Sequence, residues 1–240
     1  MEKYHVDTFL KDLESLGIFL SGEQTEQFLC YYEMLVEWNG KMNLTAITAF
    51  EDVLKKHFVD SLSLIKVCDL RQDLNLIDVG TGAGFPGLAL KIAFPGLKVT
   101  LLDSLNKRIQ FLDAVIGKFQ LKNVQTVHGR AEDYAKPGKL RETFDLCVSR
   151  AVANLSTLSE YCLPFVKKGG LFVAYKSEKA ASEIEQAGKA IALLGGRVGE
   201  RIEFTLPDSD IYRSLYVIEK TERTPGKYPR KAGLPSKEPL

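Results

Sequence analysis

The chain has 240 residues, with 32 Lys+Arg against 31 Asp+Glu, a formal net charge of +1, 45% hydrophobic and 26% charged residues. That balance excludes a disordered chain, a membrane-embedded chain, and a protein that is basic over its whole surface. A chain of this size can bury a core without disulfides or a structural metal, and it reads as one domain with an added segment.

Residues 1–70 read as helices. Glu23 to Trp38 places Phe28, Tyr31, Tyr32, Leu35, Val36 and Trp38 at three- and four-residue spacing, and Phe50 to Val67 does the same with Val53, Leu54, Phe58, Leu62 and Ile65. Between them Asn39, Gly40 and Asn43 break the pattern. From Leu74 the texture changes to five strand-like runs, LNLIDV, LKVTLLD, VQTVHG, FDLCVSR and GLFVAYK, mostly separated by amphipathic stretches. This βαβ rhythm over 71–220 predicts an α/β domain with a mostly parallel sheet and helices on both faces. A further helix is expected from Glu178 to Leu194, and then RVGERIEFTL and RSLYVIEK read as an antiparallel closing pair of strands. The terminal stretch, 221–240, has neither helical nor strand period. The final 21 residues carry a net +4 and four of the nine prolines, which leaves the preceding 219 residues at −3.

The four cysteines, Cys30, Cys68, Cys147 and Cys162, form no C-x-x-C pair and read as reduced core residues. The first twenty residues are too interrupted by charge for a signal peptide. No stretch approaches the roughly 18 apolar residues of a transmembrane helix. A cytoplasmic monomer with no membrane partner is expected.

The segment Asp78-Val-Gly80-Thr-Gly82-Ala-Gly84-Phe85-Pro-Gly87 follows a buried run and opens a helix from Leu88 to Ala93. Glycines there let the backbone turn tightly and approach a ligand. The spacing is G-x-G-x-G rather than the dinucleotide G-x-G-x-x-G, so no pyrophosphate cradle is implied. Asp78 could meet the amino group of a cationic ligand. This segment resembles motif I of class I S-adenosylmethionine-dependent methyltransferases. Asp103, 23 positions after Gly80, stands where an acidic residue takes ribose hydroxyls, or is a solvated strand-end residue. Ala131, Glu132 and Asp133 follow the third run and could hold adenine, or cap a helix. The fourth run ends Ser149-Arg150-Ala151, at a position that should face a transferred methyl group.

That fourth loop lacks both the Pro-Pro-aromatic pattern used on exocyclic amines and a nucleophilic cysteine; Cys147 lies inside the run and reads as packed. A target with an exposed in-plane lone pair, such as guanine N7, needs positioning but no general base. Arg150 would then hold groups without moving a proton, and no catalytic acid or base is singled out. His5, His57 and His128 are too scattered for a metal set. His57 and Asp60 sit three apart on one helix, a spacing that allows a local hydrogen bond. Lys176, ending the fifth run, either approaches the crevice or is a solvated strand-end residue. Tyr228 lies among Lys227, Arg230 and Lys231, and Lys107, Arg108, Lys118, Lys122 and Arg130 oppose Asp113 alone between Asn106 and Arg130. Such clusters suit phosphate contact and base stacking, and equally a solvated face with a terminal tail. The candidate RNA contacts are Lys176, Arg213, Tyr228, Arg230 and Lys231.

Several segments together resemble the bacterial 16S rRNA (guanine-N7) methyltransferases, also called the glucose-inhibited division protein B family. They are WNGKMNLTAI (38–47), KHFVDSL (56–62), LIDVGTGAGFPGLALKI (76–92), LLDS-x-NKR-x-xFL (101–112), GRAED (129–133), SRAVA (149–153) and YPRKAGLPSKEPL (228–240). The resemblance covers nearly the whole chain. It implies a Rossmann-like, seven-stranded class I methyltransferase fold with an N-terminal helical extension. It further implies methyl transfer from S-adenosylmethionine to a guanine N7 in the decoding-region loop of 16S rRNA, on naked RNA or on the small ribosomal subunit, without a metal. Cofactor contacts fall at Gly80, Phe85, Asp103, Ala131, Glu132 and Arg150; Asp78, Gly82 and Gly84 join them from the glycine turn. One departure is Ser177 after Lys176, where the family pattern has Gly. A small-molecule methyltransferase and a noncatalytic S-adenosylmethionine sensor are the alternatives; the basic tail and the absence of a capping lid argue against the former.

Overall fold

In the computed structural model, described for residues 4–150, 153–176 and 183–240, the N-terminal helices are set by their caps and stripes. α1 (Asp7–Ser15) buries Phe9 and Leu13. α2 (Gly22–Met42) opens on a reciprocal capping box in which Ser21 Oγ accepts from the Gln24 N–H and the Gln24 carboxamide accepts from the Ser21 N–H. Two N–H groups that the helix itself leaves unpaired are satisfied this way. The helix does not break at Asn39 as its sequence suggests. It runs through Gly40 and ends where Asn43 turns left-handed at φ 51°. A helical glycine costs only about 1 kcal/mol relative to alanine, which packing of Trp38 and Met42 on the core offsets. The expected helix over Phe50–Val67 is present as a composite. α3 (Phe50–Val53) leads into a π-helical turn (Leu54–Val59), α4 (Asp60–Leu62) and a 3-10 turn (Ser63–Lys66).

The strands are β1 (Asn75–Val79), β2 (Lys98–Asp103), β3 (Val124–His128), β4 (Phe144–Arg150), β5 (Val166–Lys176), β6 (Gly196–Thr205) and β7 (Tyr212–Lys220). They form one seven-stranded sheet in the order β3-β2-β1-β4-β5-β7-β6. β1 to β5 pair in parallel, and β7 is antiparallel to both β5 and β6. The mostly parallel α/β sheet read from the sequence is therefore the observed one. The apolar runs are buried on both faces, which is why β1, β2 and β4 lack a polar alternation.

The helices cover both faces. α5 (Gly87–Ala93) and α6 (Asn106–Phe119) share one hydrophobic core with α1 to α4, including Phe9, Phe28, Tyr31, Phe58, Leu88 and Phe111. Gln24 Nε2 adds hydrogen bonds to the carbonyls of Ile92 (2.8 Å) and Ala93 (3.0 Å). The N-terminal extension is thus packed into the sheet layer on that face. α7 (Ala131–Tyr134), α8 (Leu155–Cys162) and α9 (Glu183–Leu193) build the second core with Ile77, Cys147 and Phe172. The expected start of the last of these at Glu178, together with Ala151 and the Ser177 departure, lies outside the described residues.

The tail is strapped across the second face. Arg141 donates to the carbonyls of Thr224 (2.5 Å) and Tyr228 (2.8 Å). Lys220 is buried and donates to the carbonyls of Leu163 and Leu194. Glu160, at 0% exposure, accepts Arg230 Nη2 at 2.7 Å and Nε at 3.0 Å. The chain then turns into α10 (Leu234–Lys237), a short element that the sequence did not signal.

Removing one member of a buried ion pair costs about 3 kcal/mol, because its partner stays behind unpaired. Glu160→Ala should lower stability by about that amount in urea melts, with Glu160→Gln intermediate. Trypsin should cut the variant at Lys227 or Arg230 well before the wild type, as read by mass spectrometry of the fragments.

Candidate active site

β1 lies between β2 and β4, so the crossover connections leave it in opposite directions and open a crevice at the carboxyl ends of the strands. A cavity of about 540 Å³ fills that crevice. It is lined by the turn after β1 (Gly80–Ala83), Asp103 at the end of β2, Gly129–Glu132 after β3 and Arg150 at the end of β4. Thr45 and His57 close it from the helical layer, and Tyr161 and Ser236 from α8 and the tail. Its size suits a small-molecule ligand.

The glycine turn is organised from behind by Asp78. This carboxylate is fully buried, and its Oδ2 accepts from Thr81 Oγ1 (2.7 Å) and from the Gly87 N–H (2.8 Å). Burial pushes its pKa up from 3.8 to about 6 against the pull of those two bonds. Asp78 is not among the residues that line the cavity, and its Oδ2 works inside the turn. Its Oδ1 is buried without a hydrogen-bond partner among the described residues.

The glycines divide similarly. Gly82, at φ 62°, lines the cavity, and a Cβ there would meet nothing within 4 Å. Gly84, at φ 96°, does not line it; a Cβ there would run into the Tyr31 hydroxyl and come within 2.8 Å of Leu88 Cβ. It is a packing glycine that lets α2 approach the turn, where Tyr31 donates to the Ala83 carbonyl. Asp103 is 2% exposed and accepts from the Gly82 N–H (2.9 Å), Arg108 Nη1 (3.1 Å) and the Leu105 N–H (2.9 Å). It ties the end of β2 to the turn after β1. Glu132, buried at the start of α7, accepts from the Gly233 N–H at 2.8 Å, which brings the tail to the cavity edge.

Arg150 anchors the opposite wall. Its Nη1 donates to Asp60 Oδ2 (2.8 Å) and to the Lys56 carbonyl (3.2 Å), and its Nη2 reaches His57 Nδ1 at 3.2 Å. Its guanidinium lies 5.3 Å from the centre of the Phe85 ring, on which the His57 ring also stacks at 4.6 Å. Phe85 thus joins the cavity wall between Arg150 and His57. An arginine only donates, so His57 Nδ1 must accept, which puts the imidazole proton on Nε2 facing Thr45 Oγ1 at 2.9 Å. Burial, then the Arg150 charge, lower the His57 pKa from 6.5 to about 3. The local His57–Asp60 bond suggested by their spacing is replaced by two separate bonds to Arg150.

The five candidate RNA contacts are not gathered in one place. Arg213 Nε donates to Asp60 Oδ1 at 3.0 Å, which puts it in the Arg150 cluster. Lys176 pairs with Glu183 at 2.6 Å and donates to the Ala153 carbonyl. Tyr228 is 7% exposed and packs in the second core, so its ring cannot stack on a base in this arrangement. Arg230 is engaged by Glu160, and only Lys231 of the five is exposed. Cys147 is buried and its thiol pKa is pushed well up by burial, in keeping with a packed residue. Among the described residues, no group of three or more His, Cys, Asp or Glu side chains could hold a metal ion. Thr45, Tyr161 and Ser236 were not singled out in the sequence. Single polar residues in loops and on helices carry no periodic signal, and only the fold brings them together.

Comparison with known proteins places this geometry in context. The family model described as rRNA small subunit methyltransferase G matches residues 24–211. A ribosomal RNA small subunit methyltransferase G from Lachnoclostridium phytofermentans is 54% identical, covering 97% of this chain and 96% of its own. One of the same name from Alkaliphilus metalliredigens is also 54% identical, covering 96% and 97%. Among solved structures, a SAM dependent methyltransferase from Aquifex aeolicus shares the fold at a TM-score of 0.52 and 21% identity, covering 70% of this chain and 92% of its own.

Gly84→Ala should cost about 3 kcal/mol in denaturant melts, because the methyl must displace Tyr31 or Leu88 at a left-handed backbone position. The His57 imidazole should stay neutral, with its proton on Nε2, from about pH 8 down to about pH 4.5 in nitrogen and carbon NMR. Its folded pKa of about 3 lies below the ordinary 6.5, so its contribution to stability is complete above pH 6.5 and is lost as pH falls towards 3. A titration midpoint near 6.5 would show that the ring is not sealed in the wall beside Arg150.

Proposed function

The chain belongs to the rRNA small subunit methyltransferase G family, and from that membership and the crevice we propose that it methylates N7 of a guanosine in the decoding-region loop of 16S rRNA, using S-adenosylmethionine. The observation that supports the atom assignment is that two titratable groups on the cavity wall, His57 and Asp103, are already engaged as hydrogen-bond partners. His57 Nδ1 faces Arg150 and its Nε2 faces Thr45, while both Asp103 oxygens accept from protein donors. Neither of these two is poised to take a proton, which suits a target that brings its own lone pair.

The residues present fit the cofactor. An open glycine turn at Gly82, the buried acceptors Asp103 and Glu132, and the Phe85 wall offer close backbone approach, hydroxyl and amine acceptors, and apolar cover. When bound, S-adenosylmethionine supplies an electrophilic methyl whose transfer breaks the C–S bond, leaves the electron pair on sulfur and moves the positive charge to the purine. The chain's own part is positioning. Gly80 and Gly82 set the turn, Asp103 holds it, and Ala131 and Glu132 form the edge opposite Arg150. Asp60 keeps Arg150 in one orientation, so the far wall is fixed before a substrate enters. The partner is the small-subunit rRNA, free or within the subunit.

Small-subunit rRNA from cells lacking the gene, incubated with the protein and S-adenosylmethionine and then digested for mass spectrometry, should carry one new 7-methylguanosine in the decoding-region loop. A methyl group on another atom, or none in this RNA, overturns the reading. Gly82→Leu carries about 1 kcal/mol of backbone strain at its left-handed φ but meets no clash, so it should still fold, and it should lose cofactor affinity by at least about tenfold in calorimetry because it adds bulk to the turn that lines the cavity.

A further inference from the structure

We infer that Thr45 is a specificity residue of this site, whose hydroxyl proton is offered to O6 of the guanine being methylated. The inference rests on the guanine-N7 reading above and deepens it.

It starts from the direction of a hydrogen-bond chain. Asp60 fixes Arg150, and Arg150 Nη2 donates to His57 Nδ1 at 3.2 Å. The neutral imidazole must then carry its proton on Nε2, which donates to Thr45 Oγ1 at 2.9 Å. The Ile47 N–H donates to the same oxygen at 3.1 Å. Both lone pairs of the hydroxyl are therefore filled, and its only remaining capacity is to donate. Among the described residues no hydrogen bond uses that proton. Thr45 is half-buried and lines the cavity next to His57 and Phe85. The chain also prevents the hydroxyl from turning round to act as an acceptor, because two donors already point at it.

A fixed donor selects an acceptor. On the edge of guanine that carries N7, the neighbouring group is the O6 carbonyl, an acceptor, whereas adenine presents an amino donor there. N7 itself must keep its lone pair for the incoming methyl, so a donor in the site belongs on O6. The same donor facing an amino group would leave two N–H or O–H donors unpaired in a half-buried place, which penalises the wrong base more than it rewards the right one.

The test compares RNAs carrying a single base analogue at the target position, with wild type, Thr45→Val and Thr45→Ser. Wild type should use guanine and hypoxanthine, which both keep O6. It should lose at least about tenfold in kcat/KM on 2,6-diaminopurine, which keeps N7 but puts an amino group at position 6. Thr45→Val should lose a similar factor on guanine and no longer separate guanine from diaminopurine, while binding S-adenosylmethionine within about twofold of wild type. Thr45→Ser should retain the wild-type preference. The inference is overturned if wild type uses diaminopurine as well as guanine, if the diaminopurine penalty survives in Thr45→Val, or if that variant loses cofactor affinity instead. A 7-deazaguanine RNA separates the two readings: methylation of it removes the N7 assignment, whatever Thr45 does.

Discussion

Asp60 is the interaction on which the geometry of the cavity depends. It is 3% exposed, and its two oxygens each receive one arginine, Arg150 from the end of β4 and Arg213 from the start of β7. One carboxylate thereby joins the helical layer to two strands that are not neighbours in the sheet. A buried carboxylate is tolerable only when its charge is met, and two arginines meet it fully. In return Arg150 has its orientation set, which in turn sets the tautomer of His57 and the hydroxyl of Thr45. The order of the wall is inherited step by step from one buried charge.

The centre of the sheet was legible in the sequence because strands buried on both faces, such as β1, β2 and β4, are continuous apolar runs, and the edge strands β3 and β6, which are only partly buried, were legible from their alternation and spacing. The glycine turn was legible because a strand, a glycine cluster and a helix in succession have few other meanings. Within the turn, however, spacing could not say which residues face the ligand. Asp78 and Gly84 stand in the same motif as Gly80 and Gly82 and yet serve the turn from inside, since at a tight bend residues two apart no longer face the same way. The path of α2 through Gly40 was missed because propensity is a small local cost beside tertiary packing. The Arg150 cluster was missed because its members lie some 90 to 150 residues apart in the chain.

The tail shows how charge counted along a sequence differs from charge on a surface. Its +4 suggested a basic arm for RNA. In the fold Lys220 is sealed beneath carbonyls with Glu142 nearby, and its pKa falls from 10.5 to about 8 mainly through burial. Arg230 is spent on Glu160, and Tyr228 is a core residue. The same residues that looked like a nucleic-acid grip instead strap the chain end to α7 and α8, and Ser236 reaches the cavity rim.

The π turn from Leu54 to Val59 has a bearing on what lengths of chain this layer can tolerate. A π turn amounts to one extra residue within a helical path, and it lies where the Lys56 carbonyl accepts from Arg150. His57 is inside it and Asp60 just beyond it, and both must look at the same guanidinium. Deleting a single residue there would restore an ordinary α-helix and swing one of the two by about 100° relative to the other. Residue identities could drift at many points of this helix, but its length between residues 53 and 60 is locked to the wall it builds.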